Sequence, residues 1–233
     1  MKAAIMQPYF MPYIGYFQLI NAVDKFVIYD NIQFTRKGWI QRNRMLQNGK
    51  GEYFGLSLKK DSDYLNVIDR MLSDTADEEL VKLKRKIEGN YRKSPCFTEV
   101  FPLIEKILDN PERNLYKFIY QSILLIKQRL GIDTEIIISS ELKIDHSLKS
   151  QDKVLAICRE LNCTNYINPI GGVDLYNRDE FMNRGIDLNF LKSKNIEYTQ
   201  LGSEFVPWLS IIDILMFNSK EKVQNFLKSF TLL

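Results

Sequence analysis

The chain opens on a strand, a proline-punctuated loop, a helix and a second strand within its first thirty residues. An apolar run over residues 3–7 leads into Gln7-Pro8-Tyr9-Phe10-Met11-Pro12-Tyr13-Ile14-Gly15-Tyr16. A helical pattern follows over 14–22, and a second apolar run over 25–29 ends at Asp30. Strand, helix, strand in this order predicts parallel pairing through a right-handed crossover. It also predicts a binding crevice beyond the strands' carboxyl ends, with a helix N-terminus that favours anions. The fold expected is therefore α/β and Rossmann-like, with a parallel-rich sheet.

The rest of the chain adds to this frame. Residues 39–47 and 52–59, joined through Asn48-Gly49, read as a β-hairpin. Residues 62–130 read as a helical insert in a single 1–233 α/β domain. Its clearest helix carries Leu115, Phe118, Ile119, Ile123, Ile126 and Leu130 at helical spacing. Asn110 is its expected cap, Pro111 fits its first turn, and Gly131 ends it. Residues 134–140 then form a buried strand, 150–161 an amphipathic helix and 165–168 a short strand. Residues 187–191 are a further strand candidate, and helices are expected over 207–217 and 220–230.

At 233 residues the chain is long enough to bury a core without staples. Its net charge of +3 lacks the clustered excess of a nucleic-acid binder. The basic residues from Lys82 to Lys93 read as a solvated helix face. Three cysteines at Cys96, Cys158 and Cys163 show no metal spacing and imply no disulfide. That usage fits a reducing cytoplasm, and Cys158 falls on an apolar helix face. The start lacks a signal-peptide pattern. The longest apolar run, 209–217, is too short to span a membrane.

Three segments carry candidate chemistry. In the opening loop, Pro8 and Pro12 fix the backbone and Gly15 permits close approach. Gln7, Tyr9, Tyr13 and Tyr16 offer polar groups and rings that could stack on a base or sugar. The second segment runs from Asp30 to Arg44. Asp30 projects into the crevice, with Gln33, Lys37 and Trp39 nearby. Period-two alternation puts Arg42 and Arg44 on one face, suited to phosphate or carboxylate, and Asn43 on the other. The third, Asn168-Pro169-Ile170-Gly171-Gly172, brings backbone N–H groups to a ligand or simply makes a tight turn. His146, the only histidine, sits in a polar loop and is a candidate general base beside Asp30. No metal-ligand pattern is present, so no metal is expected. The cofactor and the oligomeric state stay open.

Gln7-Pro8-Tyr9-Phe10-Met11-Pro12-Tyr13-Ile14-Gly15-Tyr16-Phe17-Gln18-Leu19-Ile20 and Phe26-Val27-Ile28-Tyr29-Asp30 together resemble the WbqC-like family. Trp39-Ile40-Gln41-Arg42-Asn43-Arg44, the stretch from Tyr166 to Tyr176, and the stretch from Phe205 to Asp213 extend the likeness over most of the chain. The resemblance implies a bacterial cytoplasmic protein associated with O-antigen or other surface-polysaccharide synthesis. It is compatible with a transferase that places an acyl or aminoacyl group on the amine of a nucleotide-linked sugar. The partners would then be that nucleotide sugar and an acyl donor. Tyr13-Ile14-Gly15-Tyr16 at the first helix is also similar to the opening of HIGH-motif nucleotidylyltransferases. Here both histidine positions hold tyrosine, which supplies no imidazolium, and the second, arginine-ending signature is absent. ATP-dependent nucleotidyl transfer is thus the alternative reading, and a non-catalytic sugar-nucleotide binder is the third.

Overall fold

In a computed structural model, which describes residues 1–202 and 204–233, the opening block is strand β1 (Lys2–Met6), helix α1 (Ile14–Asn21) and strand β2 (Lys25–Ile28). Strands β3 (Arg42–Gln47) and β4 (Lys50–Gly55) make the hairpin, and helices α2 (Ala76–Tyr91), α3 (Phe97–Leu108) and α4 (Leu115–Leu130) follow. Then come β5 (Glu135–Ile138), α5 (Ser150–Glu160), β6 (Asn165–Pro169), α6 (Arg178–Met182), β7 (Asp187–Ser193), α7 (Ile211–Phe217), α8 (Lys220–Leu227) and β8 (Phe230–Leu232).

Six strands form one sheet in the order β5-β2-β1-β6-β7-β8, parallel except for β8. Alternation along the strands builds a core on each face, as a parallel sheet covered by helices requires. Ala4, Phe26, Ile28 and Ile167 face the core that holds α1, α4, α7 and α8. Their neighbours Ala3, Ile5, Val27 and Tyr166 face the core built with α5 and with Phe181 of α6. The hairpin is a separate antiparallel pair. Asn48 and Gly49 both have positive φ, 50° and 72°, between the paired Gln47 and Lys50. This is the two-residue turn whose twist matches the strands.

Several expectations need correction. Residues 62–75 are not helical apart from a short 3-10 turn at Val67–Asp69. Backbone bridges Gln33–Asn66 and Met71–Asn114 strap the segment down. The buried Arg70 guanidinium also donates to Ser62 O and Lys59 O. These tertiary bonds outweigh local helical preference. Asn114, not Asn110, caps α4, accepting from Lys117 N. Asn110 instead accepts from Glu112 N in a tight turn that absorbs Pro111. Strand β5 is a half-buried edge strand, because only β2 pairs with it. Helix α7 starts at Ile211 because Trp208, at φ 60°, cannot continue a right-handed helix back to Pro207. The last helix ends at Leu227, and β8 returns to pair with β7.

Candidate ligand site at the carboxyl edge of the sheet

From β1 the chain pairs outward to β2 and β5; from β6 it continues to the other side. The order therefore reverses between β1 and β6, and a crevice opens at such a reversal in doubly wound sheets. Gln7-Pro8-Tyr9 leaves one lip and Asn168–Gly172 the other.

Tyr9 Oη donates to Gln7 Oε1 at 3.2 Å, and Tyr16 Oη donates to the Gln7 carbonyl at 3.0 Å. Burial, then the neighbouring Tyr13, pushes the Tyr9 pKa up to about 12. Burial raises Tyr16 further still. Both phenols are therefore neutral hydrogen-bonding groups near pH 7, and Tyr16 is part of the core. Gly15 is needed for packing: a Cβ there would stand 2.1 Å from Tyr13 Oη. The Tyr13 ring meets Trp208 edge-on at 5.9 Å. The elbow is clamped from α7, where Ser210 Oγ donates to Met11 O at 2.7 Å and Ile211 N to Pro12 O at 2.9 Å. Met11 (φ 43°) and the exposed Trp208 (φ 60°) hold backbone conformations that bulky residues rarely adopt.

On the other lip, Asn168 is buried, accepting from Tyr166 Oη at 3.2 Å and donating to Pro169 O at 3.1 Å. A Cβ on Gly172 would lie 2.0 Å from Asn168 Nδ2, whereas one on Gly171 meets nothing within 4 Å. Gly172 thus makes room for Asn168, and Gly171 is the exposed glycine of the pair.

Beside these lips, at the ends of β2 and β5, lies a polar cluster. Asp30 is fully buried and accepts from Ser140 N at 3.0 Å and Ser140 Oγ at 2.6 Å. It ties the two strand ends together. The Tyr116 hydroxyl is buried without a hydrogen-bond partner among the described residues; burial, then the Asp30 charge, raises its pKa. Next to Asp30, Asn31 accepts from Ser139 Oγ at 3.0 Å and contacts His146 Nδ1 at 3.0 Å. His146 Nε2 contacts the Leu142 carbonyl at 3.0 Å. A carbonyl only accepts, so Nε2 carries the proton and Nδ1 presents its lone pair. The structure thus brings His146 to the end of β2, beside Asp30.

The hairpin is used differently. Arg42 donates to Gly38 O at 3.1 Å and Lys37 O at 2.7 Å, and lies 5.0 Å from the centre of the Tyr53 ring. Its guanidinium fastens the 37–38 loop. Trp39 stacks on Tyr53 at 6.1 Å, and both are exposed. Asn43 is buried, with its amide 3.4 Å from Phe10 O, and Arg44 O accepts from Ser210 N. Gln33 donates to Asp63 O. The elbow thus touches both the hairpin and the β1–β6 edge, while no hydrogen bond joins the hairpin to the twin-glycine lip among the described residues.

The model of the WbqC-like protein family matches residues 7–225. The chain belongs to the WbqC-like protein family. It is similar to the uncharacterized protein Rv1507c of Mycobacterium tuberculosis (strain ATCC 25618 / H37Rv), at 26% identity over 229 residues, 97% of each chain. No solved structure matches it.

In this WbqC-like chain the structure adds two residues that the sequence reading passed over. Ser140 holds Asp30. Lys153 is 3% exposed, with Nζ 4.9 Å from the centre of the Tyr29 ring. A signal for Lys153 was present: it shares its helix face with Ile157, four residues on, so a lysine sits in an apolar stripe. Among the described residues no three His, Cys, Asp or Glu side chains gather as a metal site would need. No described helix is long and apolar enough to cross a membrane.

Proposed function

We propose that this WbqC-like protein is a transferase of surface-polysaccharide precursor synthesis. It attaches an acyl or aminoacyl group to the amine of a nucleotide-linked amino sugar. The observation that carries the reading is the reversal of strand order between β1 and β6, with Gln7–Tyr9 and Asn168–Gly172 leaving side by side. A nucleotide-linked ligand lies over that edge, and its sugar amine reaches the end of β2. The amine attacks the donor's carbonyl carbon, the donor's leaving group departs, and the amine gives up a proton.

His146 suits the proton acceptor better than Asp30. It is exposed, the Nε2–H bond to Leu142 O fixes its tautomer, and Nδ1 accepts from Asn31 Nδ2, a solvent-facing bond that the incoming amine displaces to reach the lone pair. Asp30 is sealed from solvent with both oxygens occupied, so it acts as a positioning residue. The alternative, nucleotidyl transfer on a HIGH-type site, is poorly supported. Tyr16 would have to replace a phosphate-contacting histidine, yet it is buried with its hydroxyl committed to Gln7 O.

The test is mass-spectrometric detection of acylated product from nucleotide-linked amino sugars with activated acyl or aminoacyl donors. His146→Ala is expected to lower kcat and leave the sugar nucleotide's affinity intact. Stabilisation by ATP with magnesium, with no response to any amino-sugar nucleotide, would replace the proposal with the nucleotidyl-transfer reading. Binding without turnover by any donor would leave a sugar-nucleotide binding protein.

A further inference from the structure

A cleft lies beyond the carboxyl end of β7, between Ser193–Ile196 and the start of α1. Tyr13, Tyr198, Phe205 and Trp208 line it, and Lys194 and Asn195 add polar groups. Its wall is anchored. Tyr198 Oη donates to the buried Asp213 at 2.6 Å, and the Tyr198 ring meets Phe205 edge-on at 5.2 Å.

Trp208 is what sets this cleft apart. It is 61% exposed and holds a left-handed backbone, at φ 60°. A single exposed apolar residue needs no explanation. One kept in a costly conformation at the mouth of an aromatic cleft does. The conformation is imposed by the residues just after it, because Ser210 N donates to Arg44 O and Ile211 N to Pro12 O. Tyr13 touches the indole only edge-on, so much of the ring stays open to solvent. The cleft is shallow: it takes one flat ring against that indole, not a whole nucleotide.

Strand order says which ring. The sheet runs β2-β1-β6-β7 across this edge. The proposed function puts the sugar amine at the end of β2 and carries the ligand over the edge between β1 and β6. The end of β7 is three strand spacings from β2, about 14 Å. That leaves it for the far end of an extended nucleotide sugar, which is the base.

We infer that Trp208 and the cleft beside it seat the nucleobase, which stacks on the exposed indole. The inference deepens the proposed function and rests on it for the choice of a nucleotide. Stacking of this kind tolerates every base, because each has a π-face.

The test uses Trp39→Phe, which leaves Trp208 as the only tryptophan. This protein is titrated with uridine, thymidine, cytidine, guanosine and adenosine diphosphates, and with ribose 5-phosphate. At least one nucleotide is expected to change Trp208 emission saturably, and ribose 5-phosphate, which has no base, is expected to leave it unaltered. By calorimetry, Trp208→Ala is expected to weaken that nucleotide about tenfold or more, and Trp208→Phe to retain most of the affinity. No saturable change with any nucleotide, the same change with ribose 5-phosphate, or equal affinity in Trp208→Ala overturns the seat. Should Trp208→Ala fail to fold, the emission of Trp39→Phe decides alone. A nucleotide stacked on Trp208, with no amino-sugar nucleotide ever acylated, would keep the seat and sink the transferase reading. Acylation with an unaltered KM for the sugar nucleotide in Trp208→Ala would do the reverse.

Discussion

The two glycines at the end of β6 should respond very differently to the same added methyl group. In Gly172→Ala the new Cβ would stand 2.0 Å from Asn168 Nδ2, so the Asn168 amide must move. That amide is buried and makes two hydrogen bonds, to Tyr166 Oη and Pro169 O. Each neutral bond is worth about 0.5–1.5 kcal/mol, and a hydroxyl left buried and unpaired costs about 1–3 kcal/mol. Against this, alanine restricts the unfolded chain and returns about 0.4–1 kcal/mol. The net expectation for Gly172→Ala is a loss of about 1–3 kcal/mol. Gly171→Ala meets nothing within 4 Å, so it should be neutral or slightly stabilising. Urea denaturation of the pair measures the difference, and sugar-nucleotide binding should weaken in Gly172→Ala alone. Equal denaturation midpoints would refute the view that Gly172 exists to seat Asn168.

Tyr91→Phe removes a hydroxyl that accepts from Leu46 N at 2.8 Å and donates to Asp213 at 3.0 Å. Losing one bond to a buried carboxylate and stranding an amide should cost about 2–4 kcal/mol, read as a fall in Tm of roughly 4–16 °C. Glu79 is held below the usual carboxylate range by hydrogen bonds from Ser57 and then Thr75. Its contribution is present above the unfolded carboxylate pKa and is lost as pH falls through the depressed folded one. Glu79→Gln should therefore flatten the acid limb of the urea midpoint measured against pH, and an unchanged limb would contradict this. Arg42→Ala should free the 37–38 loop, giving faster proteolysis at Arg36 and Lys37 with little change in global stability.

The opening block was legible because each signal in it agreed with the next. Parallel pairing of the first two strands and the helix start at Ile14 appear as expected, as does the Asn48-Gly49 turn that follows the block. What escaped was decided at long range. Residues 62–75 look helical locally, but the bridges Gln33–Asn66 and Met71–Asn114 tie them to partners far along the chain. Strand β8 is only three residues long and is defined by pairing with β7. The positions of Asp30 and the twin glycines beyond strand ends, and of His146 in the loop after β5, were readable from the sequence. That Arg42 would spend its guanidinium on its own loop, and Tyr16 on Gln7 O, depended on contacts that no spacing records. Ser140 and Lys153 stayed hidden because each matters only once β2, β5 and α5 are side by side.

The placement of the ligand is most directly tested by hydrogen–deuterium exchange with and without a saturating nucleotide-linked amino sugar. Slowed exchange at residues 7–9 and 168–172 is the predicted result. Protection confined to the hairpin, residues 39–55, would contradict the assignment of the site to the edge between β1 and β6.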